Sequence, residues 1–152
     1  MILPVIQMFI FISYIVFVSI KFGILPSISD SYYLFSDWKR ILFTLFCFSL
    51  GSLMFLQEIG VFPWFVISGS GLCLTGAAMQ FKEKVDGKVH VVGAYSAIIF
   101  GLAGLIFERG LYFPSVTFIL LAVLSTATKN KTWWIECSAF ACIVLGLLIS
   151  SY

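Results

Sequence analysis

Charge is what this sequence has least of. Only 11% of its 152 residues are charged, seven acidic and nine basic, and a single histidine stands among them. A soluble domain of ordinary composition carries about 25% charged residues. The shortfall excludes a soluble globule, a disordered chain and a nucleic-acid binder, each of which needs a more polar surface. One histidine excludes a bis-histidine haem and a histidine-rich zinc site. The four cysteines, Cys47, Cys73, Cys137 and Cys142, lie inside apolar runs without CxxC spacing. They read as small packing residues, not as a disulfide framework or a metal site. The sequence holds no Walker loop, GxSxG elbow, HExxH pair, arginine ladder or TVGYG filter. It is too short for the two inverted halves of a large transporter. No cofactor and no metal are expected.

What fills the chain is apolar: 61% of residues, with a mean hydropathy of +1.10. Spanning a bilayer takes about 20 apolar residues as a helix, whereas barrel strands are about ten long and alternate in polarity. The runs here are long and apolar on every face. They predict an all-α integral membrane bundle of six transmembrane helices with short loops, forming one domain over residues 1–152. The expected spans are about 2–25, 41–56, 61–81, 90–107, 111–127 and 133–150. The first is longer than the roughly 7–15-residue core of a signal peptide, has no basic segment before it, and reads as a retained span.

Connections this short make neighbouring spans antiparallel, so loops one, three and five share a membrane face. Those loops hold Lys39, Arg40, Lys82, Lys84, Lys88, Lys129 and Lys131, against Arg109 alone in loops two and four. The positive-inside rule then places the odd loops in the cytoplasm and both termini outside. Trp38, Trp64, Trp133 and Trp134 fall near span ends, where an aromatic belt is expected. Gly93, Ala97 and Gly101 recur at spacing four in the fourth span, and the third is rich in small residues from Ser68 to Ala78. Such faces let backbones approach closely. An intramolecular hairpin of spans three and four is the expected use, with a homodimer seam or a partner membrane protein as the alternative.

Polar groups at membrane depth are candidates for function by default. Lys21 lies near the end of the first span, where a lysine can snorkel. Glu136 lies just inside the last span, either at the headgroup level or facing the bundle interior. A further set falls on the loop-one face: Ser27, Ser29 and Asp30 in loop one, Glu83, Asp86 and His90 at loop three, and Lys129, Lys131 and Glu136 at loop five or just beyond it. Serine, carboxylate and histidine on one face suit a nucleophile–base set or a lipid-headgroup site. Ser29 or Asp30 equally suits a cap or turn after Pro26.

Two segments carry a resemblance. Pro26-Ser27-Ile28-Ser29-Asp30 ends the first span, and His90-Val91-Val92-Gly93-Ala94, followed by Phe100-Gly101, opens the fourth. In both, the chain resembles the Frag/DRAM/Sfk group of six-span membrane proteins. The resemblance implies a six-helix bundle that handles membrane lipids. A weaker similarity is to ceramidase-like membrane hydrolases, which use Ser, Asp and several His around a metal; one histidine does not supply that set. The expected function is therefore lipid interaction at a polar site centred on Asp30 and His90, with Ser29 as hydrogen-bond partner and Asp86 nearby. Arg40, Lys84 and Lys88 would bring positive charge to a phosphate headgroup. The alternatives are a lipid hydrolase or transferase with His90 as base and Ser29 or a water attacking, and an accessory subunit that packs through Gly93, Ala97 and Gly101.

Overall fold

The computed structural model describes residues 2–58, 60, 62–79 and 84–151, with the side chains of residues 37 and 84–87 excepted. The described residues form helices and no strand. In chain order these are α1 (Ile2–Phe22), a one-turn helix α2 (Ser31–Leu34), a 3-10 turn (Asp37–Arg40), α3 (Ile41–Phe55), α4 (Trp64–Ala78), α5 (Lys84–Phe107), α6 (Phe113–Ser125) and α7 (Lys131–Ser150). Four segments are long and apolar enough to cross a membrane: Ile2–Phe22, Trp38–Phe55, Lys88–Phe107 and Lys131–Ser150. α4 and α6 are apolar but shorter, at 15 and 13 residues.

The first helix ends at Phe22, three residues before the expected boundary. Gly23 adopts φ +78°, and its N–H bonds the Ser19 carbonyl, a left-handed stop that glycine takes without strain. α5 begins earlier than expected, at Lys84 instead of His90. The charged stretch read as loop continues the helix by more than one turn, because lysine is a good helix former when its head stays in water. At the start of α4, Glu58 accepts hydrogen bonds from the Phe65 and Val66 N–H groups at 2.8 and 3.3 Å. A carboxylate there satisfies donors that the first turn leaves open.

The small residues sit where α4 and α5 meet. A Cβ added to Gly93 would lie 2.7 Å from the Gly71 carbonyl oxygen, and one added to Gly71 would lie 2.7 Å from the Ala97 nitrogen. Ser68 Oγ donates to the Ala97 carbonyl at 2.7 Å. Gly101 faces Ser68 and the Ile143 side chain of α7. The Gly93/Ala97/Gly101 face is thus covered within the chain, as an intramolecular hairpin with α7 against it.

Loop one is not a surface loop. Leu25, Ile28, Ser31 and Phe35 are all buried, so the segment closes one end of the bundle. Three apolar anchors give it the burial that a polar turn lacks. It is tied to α1 by Tyr14, whose hydroxyl meets Ser31 Oγ at 2.7 Å. It is tied to α7 by the Trp133 N–H on the Pro26 carbonyl (3.1 Å) and by Asn130 Nδ2 on the Ile24 carbonyl (2.8 Å). Trp133 is therefore a buried packing residue, not a member of an interfacial belt; Trp38 and Trp134 are exposed.

Candidate functional site

The turn after Pro26 organises its own polar groups first. Asp30 Oδ2 accepts from the Ser27 N–H and from the Ser27 hydroxyl, both at 2.9 Å. The Asp30 N–H returns to Ser27 Oγ at 3.2 Å. This reciprocal closure is what a Ser-x-x-Asp spacing provides. Ser27 Oγ also lies 2.9 Å from Ser29 Oγ. The Ser27 proton is committed to Asp30, so Ser29 must donate to Ser27. Both lone pairs of Ser29 Oγ are left open as acceptors.

Glu136 reaches this turn from α7. Its Oε2 accepts the Ile28 N–H at 2.6 Å, across 108 positions of sequence. The Ile28 carbonyl in turn accepts from the Ser31 hydroxyl at 2.6 Å. Glu136 is half-buried, and among the described residues its Oε1 has no hydrogen-bond partner. The sequence offers both a headgroup-level and an inward-facing place for this residue, and the structure gives it the inward one.

His90, on α5, completes the group. Its Nδ1 lies 3.1 Å from the Thr75 carbonyl oxygen of α4. A carbonyl only accepts, so Nδ1 carries the proton and the neutral ring leaves Nε2 as a bare acceptor. The ring is packed near Phe43, with centroids 6.4 Å apart. Ser29, His90 and Glu136 line one small crevice with a cavity volume of about 40 Å³. The remaining wall is almost entirely apolar, with Phe43, Phe46, Leu72 and Phe140 prominent. Asp30 is not in the wall, but its carboxylate acts through space on both His90 and Glu136. A second, smaller cavity of about 20 Å³ lies toward Gln7 and shares the Leu72, Ala97, Ile98 and Phe140 walls.

The structure thus brings Ser29, His90 and Glu136 together beside Asp30. No hydrogen bond joins Ser29 or Asp30 to His90. Of the expected cations, Arg40 and Lys88 do not line the crevice. Arg40 donates through Nε to the Phe35 carbonyl at 3.2 Å and lies over the Tyr32 ring. Lys21 is exposed, with Nζ 5.2–5.7 Å from the rings of Phe17, Phe22 and Phe35. Lys88 is exposed on α5. The side chains of Lys84 and Asp86, and the whole of Glu83, lie outside the described residues. No group of three metal-ligating side chains occurs among the described residues.

Sequence reasoning did not find Thr75, which orients His90, or the second polar cluster at the opposite end of the bundle. There Gln57 Nε2 meets Gln7 Oε1 at 3.4 Å, Arg109 Nη2 donates to the Gln57 carbonyl at 2.5 Å, and Arg109 Nε lies 3.9 Å from Glu108. The buried Gln7, in the middle of an apolar run, was the available signal. Compared with known protein families, curated proteins and solved structures, the chain matches none of them.

Proposed function

We propose that this chain is a six-span membrane protein that holds an amphipathic lipid at its loop-one end, of the kind the resemblance to the Frag/DRAM/Sfk group implies. The observation that carries this reading is the composition of the crevice. Ser29, His90 and Glu136, from three separate segments, line a crevice whose other walls are mostly apolar. A lipid needs that division between head and tail. Four of the spans have full length. α4 and α6 cover about 22 and 20 Å of helix, less than the roughly 30 Å hydrocarbon core. As fifth and sixth spans they fit by local thinning of the bilayer and by the turn residues at their ends. The excess of Lys and Arg on the loop-one side supports a cytoplasmic position for that side, with both termini outside.

The experiment uses purified wild type with Asp30→Ala and His90→Ala, each incubated with a total lipid extract. Retained and transformed lipids are read by mass spectrometry. A lipid retained by wild type and lost in the variants supports the reading. Equal retention in all three contradicts it. A second reading, hydrolase or transferase, is favoured by one observation: His90 lines a cavity while its Nδ1 is held by the Thr75 carbonyl, which leaves Nε2 open as a general base requires. In that case a water is the better nucleophile, because the Ser29 proton is directed at Ser27 and not at His90. A product lipid that disappears with His90→Ala would establish it.

A further inference from the structure

Among the described residues, the polar end of the crevice offers acceptors and no free donor. Glu136 Oε1, His90 Nε2 and Ser29 Oγ each have open lone pairs once their observed bonds are assigned. The electrostatics have the same sign. Asp30 and Glu136 are both close, and no salt bridge to either occurs among the described residues. Among the described cations, Arg40 donates through Nε to a backbone carbonyl and Lys21 lies among aromatic rings. Two carboxylates beside an apolar void are costly without a positive partner. A phosphate brings negative charge and only acceptors, and so is rejected twice.

We infer that the crevice takes the primary-amine head of an amphiphile, its ammonium bound by Glu136, His90 and Ser29 and its first carbons against the apolar wall of Phe43, Leu72 and Phe140. An ammonium has three N–H donors and no acceptor, matching three open acceptors. This rests on the lipid-handling reading and replaces its phosphate headgroup with a cationic one.

The test measures binding of radiolabelled dodecylamine and dodecyl phosphate to the full chain in maltoside micelles. Wild type is compared with Glu136→Gln, His90→Phe and Arg40→Ala. Glu136→Gln keeps an oxygen for the Ile28 N–H, so the loop stays closed, and thermal unfolding verifies this. The inference expects dodecylamine to bind at least tenfold tighter than dodecyl phosphate. It expects Glu136→Gln and His90→Phe each to weaken the amine about tenfold, and Arg40→Ala to leave it unchanged. Tighter binding of the phosphate, lost in Arg40→Ala, overturns the amine head while leaving lipid handling in place. Amine binding that is equal in wild type, Glu136→Gln and His90→Phe also overturns it. If neither amphiphile binds wild type and no lipid is retained from the total extract, both readings fail.

Discussion

Replacing Glu136 by alanine should unlatch loop one without unfolding the bundle. The Ile28 N–H is buried, with the residue 3% exposed, and Glu136 Oε2 at 2.6 Å is its acceptor. At an alkaline pH where Glu136 is ionised, a hydrogen bond to its charged acceptor is worth about 1.5–3 kcal/mol net. Taking about 2 kcal/mol, the local opening constant rises roughly 30-fold. The other ties, Trp133 to Pro26, Asn130 to Ile24 and Tyr14 to Ser31, remain, so the effect stays local. Amide hydrogen exchange in lipid nanodiscs reads it directly, as loss of protection at Ile28 and its neighbours in α2. Glu136→Gln retains a neutral acceptor and loses about 1 kcal/mol, which corresponds to roughly fivefold. Unchanged exchange at Ile28 in Glu136→Ala would refute the latch. An equal rise throughout α6 would show global destabilisation instead.

Four further outcomes follow from the same geometry. Tyr14→Phe removes a buried 2.7 Å hydrogen bond but keeps the ring stacked 4.1 Å from Phe46, so thermal unfolding should show a loss of about 1 kcal/mol. Gly93→Ala places a Cβ 2.7 Å from a backbone oxygen that cannot yield, and should cost about 1–3 kcal/mol by forcing α4 and α5 apart. Gly110→Ala meets nothing within 4 Å, yet φ +66° should still cost about 1 kcal/mol, a conformational effect separable from crowding. An impermeant maleimide applied to intact cells should label Gly110→Cys and spare Lys129→Cys; the reverse pattern would invert the orientation read from the lysines.

Much of the fold was legible because membrane helices announce themselves by length and hydropathy. The runs around α1, α3 and α7 and the glycine spacing of α5 led to the observed helices and to their antiparallel packing. The ends were less legible. Lys84 to Lys88 look like a loop by charge but lie in α5, since helix propensity and solvated heads prevailed over the charge count. Trp133 looked interfacial by position and is buried, because the Pro26 carbonyl takes its N–H and draws it under loop one. The site was half legible. Ser29, Asp30 and His90 could be placed on one face by alternation alone. The junction of Glu136 with Ile28 could not, because it joins a side chain to a backbone amide 108 residues away and leaves no pattern in the sequence. Nor does composition disclose that Arg40 is spent on Phe35.

The most direct test of the central claim is photo-crosslinking of the membrane-embedded chain with a long-chain amine that carries a diazirine near its head. Peptide mapping should locate adducts on the segments that line the crevice, around Ser29, His90 to Ile98 and Glu136 to Phe140, and excess unlabelled dodecylamine should compete them away. Adducts spread over the outward faces, such as Ile119, Leu120 and Val123 of α6, and insensitive to competition would show bulk lipid contact only and contradict a binding crevice at the loop-one end.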